Sequence, residues 1–195
     1  MSPLEIRPAT LADMVRLTEI YADAVTSGTA SYELEPPTQA EMASRFNDMV
    51  RGGCPYLVAI REGTIVGYAY ANAFRARPAY RFIVENSIYV APEAKGGGIA
   101  TALMHALVDQ CEQLGFRQIL AVIGDGSRSS PSVRLHEKLG FQHAGTLVGT
   151  GWKHGRWLDT VLMQLPLNGG NATDPDPQSE PEIRFREQLS LKTAD

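Results

Sequence analysis

A run of three glycines at residues 96–98 joins a stretch with strand character to a stretch with helical character. Residues 87–90 are mostly β-branched or aromatic and show no helical period, which predicts a strand that ends before Pro92. From Ile99 onward, apolar residues recur with the period of a helix that is predicted to continue to residue 114. The chain must therefore place a strand, a glycine turn and a helix in direct succession.

The glycine turn predicts an anion site at the start of this helix. Backbone N–H groups in the first turn of a helix lack intrahelical partners, and the helix dipole is positive there. Glycines let a pyrophosphate approach these groups, and Lys95 adds a positive charge beside them. From the spacing alone, a helix entry that merely tolerates glycine is supported almost as well. The turn does not match the G-x-x-x-x-G-K-[ST] pattern of nucleotide triphosphatases or a full dinucleotide-binding pattern.

Length and charge exclude several classes of protein. A chain of 195 residues with 44% hydrophobic residues suits one domain with a substantial core. The net charge of −4 argues against a nucleic-acid partner, and the lack of a long apolar run argues against a membrane partner. The histidines lack metal-ligand spacing, so no metal is expected. The first residues lack the apolar core of a secretion signal, and Cys54 and Cys111 are far apart in sequence, so a cytoplasmic location is expected.

The pattern of apolar residues predicts an α/β fold with a mixed sheet. Strands are predicted at residues 4–7, 56–60, 65–73, 82–90, 118–123, 142–151 and 157–165, and helices at residues 11–25, 38–52, 98–114 and 132–139. Thr38 and Glu41 form a capping-box pattern where the second helix begins. Residues 1–167 are expected to form the domain. Residues 168–195 are polar and are expected to form a disordered tail, with a short helix at 183–191 if that stretch docks.

Several segments resemble a known family. The pattern Val90-x-Pro92-x-x-Lys95-Gly96-x-Gly98-Ile99-Ala100 resembles the acetyl-CoA loop of the GNAT N-acetyltransferase superfamily, with Lys95 where Arg or Gln is usual. Phe74-x-x-Arg77-x-Ala79-Tyr80, Val84-Glu85-Asn86-Ser87 and Ser132-Val133-Arg134-Leu135-His136 resemble its phosphinothricin and methionine sulfoximine acetyltransferase branch. The resemblance covers residues 4–165. It implies the GNAT fold, a central, mostly antiparallel mixed sheet flanked by helices, and direct acetyl transfer from acetyl-CoA to the α-amino group of a small amino-acid-like substrate.

The resemblance also implies roles for individual residues. Contacts to acetyl-CoA are implied for Ile88, Tyr89, Val90, Lys95, Gly96, Gly97, Gly98, Ile99, Ala100, Thr101, Ser129 and His136. Contacts to the amine substrate are implied for Arg75, Arg77, Glu85, Asn86 and Ser87. Ser129, or Ser127 in its place, would substitute for an Asn that the branch carries in this loop, which is longer in this chain.

Four of these residues carry a chemical argument. Acetyl transfer needs a neutral amine, so Glu85 is interpreted as the base, with a solvated strand glutamate as the alternative. Arginine forks bind carboxylates, so Arg75 and Arg77 favour an amino-acid substrate, although either one alone is nearly as well explained as a surface arginine. His136 is interpreted as a catalytic contact near the CoA sulfur that could protonate the leaving thiolate. A packed helix histidine is an equal alternative.

Other functions stay open from the sequence. The chain could acetylate a polyamine, an aminoglycoside or a protein N-terminus, or it could bind acyl-CoA without catalysis. The paired arginines argue against a polycation, and Glu85 beside the glycine turn argues against a non-catalytic module. The resemblance further implies a homodimer, because many relatives pair through their last two strands. Trp152 and Trp157 on these strands fit a substrate pocket, a dimer interface or core packing.

Overall fold

A computed structural model describes residues 2–127 and 130–192. Seven strands form one sheet in the order β1-β2-β3-β4-β5-β7-β6. The strands are β1 (Glu5–Pro8), β2 (Tyr56–Arg61), β3 (Thr64–Ala73), β4 (Ile83–Val90), β5 (Gln118–Gly124), β6 (Gln142–Lys153) and β7 (Arg156–Pro166). The helices are α1 (Met14–Ser27), α2 (Gln39–Arg51), α3 (Ile99–Gln113), α4 (Pro131–Lys138) and α5 (Glu180–Lys192).

The pairing of the strands confirms the predicted fold class. The β4–β5 pair is parallel, and the pairs β1–β2, β2–β3, β3–β4, β5–β7 and β6–β7 are antiparallel. The sheet is therefore mixed and mostly antiparallel. The capping box at the start of α2 is also confirmed: the Glu41 backbone N–H donates to Thr38 Oγ1 at 3.2 Å, and the Thr38 backbone N–H donates to Glu41 Oε2 at 2.6 Å.

The two faces of the sheet carry separate layers of core. Helix α3 covers one face through side chains such as Leu103 and Leu107, which are fully buried. Helices α1 and α2 cover the other face, where Leu17 and Phe46 pack against buried tyrosines of β2, β3 and β4. Because successive strand residues point to opposite faces, each residue of β4 belongs to one layer or the other.

Residues 168–192 differ from the expectation of a disordered tail. Leu167 is buried, and the Arg117 guanidinium donates to the backbone carbonyls of Gly170 at 2.8 Å and Thr173 at 2.7 Å. Helix α5 begins three residues before the stretch predicted as helical. The polar composition predicted disorder, but this segment docks through hydrogen bonds and ion pairs more than through apolar burial. The division of the chain at residue 167 stays a prediction. None of the described helices is long and apolar enough to cross a membrane.

Candidate active site

The two parallel strands separate and open a cleft in the sheet. β4 and β5 pair from Ile83↔Gln118 to Asn86↔Ala121, and beyond this point β4 stays with β3 while β5 stays with β7. The resulting cleft has a volume of about 690 Å³. Of the predicted ligand contacts, it is lined by Asn86, Ser87, Ile88, Tyr89, Val90, Lys95 and His136. Glu85, Arg75, Arg77 and the predicted contacts at residues 96–101 lie outside this lining.

The glycine turn stands at the mouth of the cleft with its backbone uncovered. Gly96 and Gly98 have φ angles of 81° and 73°, which side-chain-bearing residues adopt at a cost. A Cβ added at either position would meet no described atom within 4 Å. Gly98 is the N-cap of α3, and Ile99, Ala100 and Thr101 form its first turn. Their N–H groups lack intrahelical partners, so the turn fits a diphosphate.

Arg61 adds to the site, although the sequence predicts only a hairpin turn at residues 61–64. Its Nη2 donates to the Gly97 carbonyl at 3.4 Å, and its Nη1 lies 3.0 Å from where a Cβ of Gly97 would be. Among the described residues its Nε is buried without a hydrogen-bond partner. A guanidinium therefore supports the glycine turn next to Lys95. No local pattern could have indicated this contact, because 36 residues separate the two partners.

Strand β4 presents its predicted site residues to opposite faces of the sheet. Val84, Ile88 and Val90 pack on the α3 side, and Asn86 shares their face by alternation. Glu85, Ser87 and Tyr89 therefore point to the side of α1 and α2. Burial raises the pKa of the half-buried Glu85 carboxyl. The Glu85 carboxylate therefore binds a proton more readily than an exposed carboxylate does.

His136 is held from both of its ring nitrogens. Its Nδ1 lies 2.7 Å from the Ser132 carbonyl, so Nδ1 carries the proton and donates. Its Nε2 lies 2.9 Å from Asn86 Nδ2 and accepts from that amide. Burial lowers the pKa of His136, which is 2% exposed and lies edge-on to the Phe141 ring. The ring is therefore neutral and has no free N–H to offer to a leaving thiolate.

The predicted arginines lie on an exposed loop, residues 74–82, that leads into β4. Arg75 lies over the rings of Phe74 and Tyr80, with its guanidinium carbon 4.9 and 5.5 Å from the ring centres. Arg77 is the N-cap of a short 3₁₀ turn, and its carbonyl accepts from the Tyr80 N–H at 2.9 Å. Neither guanidinium forms an ion pair with a carboxylate of the described residues. Both remain able to bind an anionic group.

A second loop, residues 28–33 between α1 and α2, closes one side of the cleft. The Tyr32 ring packs against Gly124 and Gly151, where an added Cβ would come within 2.7 Å of it. The Tyr32 hydroxyl donates to the Asp159 carbonyl at 3.1 Å. The Lys153 ammonium, buried and with its pKa lowered by burial, donates to the Ser31 carbonyl at 2.7 Å. The sequence alone predicts a loop at residues 27–37, with an extended piece at residues 30–34 as an option, and indicates none of these contacts.

The longer loop after β5 is partly described. The Asp125 carboxylate forms a two-pronged ion pair with Arg156, with N–O distances of 3.0 and 2.5 Å. Ser127 lines the cleft. Ser129 lies outside the described residues, so its implied contact with acetyl-CoA is not addressed by the structure.

Known proteins are similar to this chain over most of its length. The model of the acetyltransferase (GNAT) family matches residues 16–141. A phosphinothricin N-acetyltransferase of Alcaligenes faecalis is 48% identical over 164 residues, 84% of this chain and 83% of the relative. An L-methionine sulfoximine/L-methionine sulfone acetyltransferase of Pseudomonas aeruginosa is 36% identical over 84% of this chain and 94% of its own length.

A solved structure shares the fold as well as the sequence. It is a GNAT superfamily phosphinothricin acetyltransferase from Sinorhizobium meliloti in complex with AcCoA. It superposes with a TM-score of 0.89 at 51% identity, covering 93% of this chain and 97% of that chain. The resemblance inferred from the sequence motifs is confirmed, and the chain belongs to the GNAT acetyltransferase family.

Proposed function

We propose that this protein transfers the acetyl group of acetyl-CoA to the α-amino group of a small amino acid related to phosphinothricin or methionine sulfoximine. The observation that carries the proposal is the cleft between β4 and β5, which opens beside the uncovered N-terminus of α3. The similarity to phosphinothricin and methionine sulfoximine acetyltransferases supports the choice of substrate.

The donor is bound through the glycine turn and the free edge of β4. Backbone N–H groups of Gly96, Gly98 and the first turn of α3 hold the diphosphate, and Lys95 adds charge. Beyond Asn86, β4 no longer pairs with β5, so its backbone groups on that side are free to hold the pantetheine arm. The N–H groups near Tyr89 and Val90 stabilise the oxygen of the thioester as it gains negative charge.

Arginines of the 74–82 loop bind the acceptor amine, and Glu85 activates it. Arg77, with Arg75 beside it, binds the substrate carboxylate. Glu85 accepts a proton from the ammonium group, and the neutral amine then attacks the thioester carbonyl. The C–N bond forms, the C–S bond breaks, and the nitrogen releases its second proton to solvent as it becomes the amide. CoA leaves as a thiolate that takes a proton from solvent. Raising the pKa of Glu85 by burial strengthens it as a base.

His136 positions the donor side of the cleft in this scheme. Its neutral ring fixes the Asn86 amide, and both residues line the cleft next to β5. Of the two interpretations that the sequence left open, the locked tautomer favours positioning over acid catalysis. Asn86 consequently serves the donor rather than the amine, because it points to the face opposite Glu85 and Ser87.

We also propose that two copies associate through the β6–β7 hairpin. Trp152 and Trp157 lie edge to face with ring centres 5.2 Å apart, and they are 56% and 66% exposed. Val148 on the same hairpin is 82% exposed. Large exposed apolar side chains of this kind are typical of interaction surfaces. Sedimentation equilibrium that returns the monomer mass would contradict the homodimer.

A cytoplasmic location completes the proposal. The two cysteines, Cys54 and Cys111, are both free thiols in the described structure, and burial raises the pKa of Cys54 to about 11. Free, unreactive thiols fit a reducing compartment. Fractionation of cells that produce the protein would test this location directly.

The experiment for the activity follows thiol release from acetyl-CoA with methionine sulfoximine, phosphinothricin and spermidine side by side. Turnover with either amino-acid analogue, and little with spermidine, is expected because Arg75 and Arg77 would repel a polycation. Turnover with spermidine alone would contradict the proposed substrate class. Calorimetric binding of acetyl-CoA without turnover on any amine would instead identify a binding module.

A further inference from the structure

The C-terminal segment, residues 168–192, crosses the end of the sheet where β4 begins. Its first part is tied to Arg117, the residue before β5, by bonds from the guanidinium to the Gly170 and Thr173 carbonyls. The Glu180 N–H then donates to the Leu114 carbonyl at 2.9 Å, which fixes the start of α5 at the end of α3. The segment is thus attached to the sheet before it reaches the loop at residues 74–82. We call this loop the substrate loop, because it carries Arg75 and Arg77.

Helix α5 meets the substrate loop at Arg81. The Arg81 Nε donates to Glu182 Oε2 at 2.9 Å, and the two side chains are only 28% and 17% exposed. The guanidinium carbon also lies over the rings of Phe82 and Phe185, 4.4 and 4.5 Å from their centres. Stacking and partial burial hold this arginine in one orientation far better than a solvent-exposed ion pair would.

The same guanidinium reaches back into the loop that carries the substrate arginines. Arg81 Nη1 donates to the Pro78 carbonyl at 3.1 Å, directly after Arg77. The junction of the loop with β4 is fixed on the sheet side, because the Arg117 N–H donates to the Phe82 carbonyl at 2.8 Å. On its outer side the described loop is held to α5 through Arg81. The Arg81 side chain therefore links Glu182 directly to the turn that begins at Arg77.

The N-terminal half of α5 is also anchored to α2. Arg184 Nη1 donates to the Arg51 carbonyl at 2.6 Å, at the end of α2, and its Nε donates to Glu180 at 2.6 Å. The Arg184 guanidinium fills the space where a Cβ of Gly53 would lie. Because α5 is fixed to α2 and to α3, it forms a rigid support against which the loop can be held.

We infer that the C-terminal segment is a positioning element for substrate binding: Glu182 orients Arg81, and Arg81 holds the 74–82 loop so that Arg75 and Arg77 are presented to the substrate carboxylate. This inference rests on the proposed function, since it assigns the amine side of that same site. Arg81 and Glu182 are positioning residues and touch neither reactant. A passive tail would affect stability without affecting the KM of one substrate.

The test compares Glu182→Gln with Glu187→Gln, an exposed glutamate on the same helix. In Glu182→Gln we expect the KM for the amine substrate to rise about fivefold, with kcat and the KM for acetyl-CoA unchanged. Arg81→Gln is expected to do the same, and the double variant should be no worse than either single variant, because the two residues act as one unit. Glu187→Gln should match wild type.

Hydrogen exchange supplies a readout that does not depend on activity. The Tyr80 and Arg81 amides are bonded to the Arg77 and Pro78 carbonyls, so they exchange slowly while the turn is held. Glu182→Gln should speed exchange in residues 74–82 and leave β2 and β3 unchanged. If residues 74–82 of Glu182→Gln exchange at the wild-type rate, the inference is overturned. It is also overturned if they exchange faster while the KM for the amine stays unchanged. If wild type turns over no amine, the proposed function fails, while exchange still decides whether the segment holds the loop.

Discussion

The donor side and the acceptor side of the site are built in different ways. In the proposed scheme the centre of the donor side is residues 86–101, one continuous stretch of chain that runs from β4 through the glycine turn into α3, with Arg61 and His136 supporting it from other elements. The acceptor side is assembled from loop 28–33, loop 74–82, the β6–β7 hairpin and the C-terminal segment. A continuous stretch carries its geometry in its own backbone preferences, whereas an assembled surface depends on contacts between distant residues.

This difference predicts how each side responds to substitution. A change on the donor side should alter acetyl-CoA binding with little effect on the amine, and a change on the acceptor side should do the reverse. Glu85 stands between them, because it lies on the continuous strand but faces the assembled surface. The following measurements test that separation.

The largest effect on turnover is expected at Glu85, where the donor side and the acceptor side meet. Glu85→Gln should lower kcat by more than about tenfold at pH 7, because the base is lost. Activity should recover as the pH rises, since an α-amino group with a pKa of about 8 then loses its proton without help. In wild type, kcat/KM should fall as the pH drops through the raised pKa of Glu85. An unchanged kcat at pH 7 would remove Glu85 from this role.

A tenfold effect confined to the donor is expected at the glycine turn. Gly98→Ala keeps the space in front of the turn open but strains the backbone at φ 73°, so the KM for acetyl-CoA should rise about tenfold. Gly63→Ala is the matched control, since Gly63 also has φ 73° and would also meet no described atom. Steady-state kinetics with each substrate varied in turn would reveal a donor effect in Gly98→Ala alone. An equal rise in both KM values would break the separation.

A smaller effect confined to the acceptor is expected at the substrate loop. Arg77→Ala removes an exposed guanidinium, so the KM for the amine should rise about fivefold while the KM for acetyl-CoA stays constant. Arg51→Ala removes another exposed arginine, at the end of α2, and should change neither value. The opposite pattern, a raised KM for acetyl-CoA, would show that Arg77 belongs to the donor side.

The smallest effect concerns stability and pH. Burial holds the pKa of His136 below its unfolded value of about 6.5, so the unfolded chain binds the extra proton more readily. The stabilisation from neutral His136 is therefore present above that pH and lost as the pH falls. Calorimetry from pH 7 to pH 5 should show a falling melting temperature in wild type and a shallower fall in His136→Gln. The exposed His143→Gln is the control, and equal slopes in all three proteins would refute the assignment.

Much of the fold could be read from the sequence because its signals are local. Thr38 and Glu41 are three residues apart and make the capping box that their spacing indicates. The glycine turn is likewise predictable, because its positive φ angles and the start of α3 lie within a few residues. The succession of β4, the glycine turn and α3 along the chain follows from the same short-range pattern.

The acceptor side escaped prediction for a physical reason. The contact of Tyr32 with Gly124 and Gly151 joins residues more than ninety positions apart, and nothing around Tyr32 indicates it. Arg81 and Glu182 are 101 positions apart and look like ordinary surface charges in the sequence. The Asn86–His136 hydrogen bond was missed because adjacent strand residues were assigned to one ligand although they face opposite ways.

The paired indoles of the β6–β7 hairpin have a spectroscopic consequence. Trp152 and Trp157 are the two tryptophans of the whole sequence, and both are exposed on this hairpin. Intrinsic tryptophan emission will therefore report the solvent around the hairpin and will be nearly blind to the two core layers. A shift of that emission to shorter wavelength with rising protein concentration would give a direct optical signal of self-association.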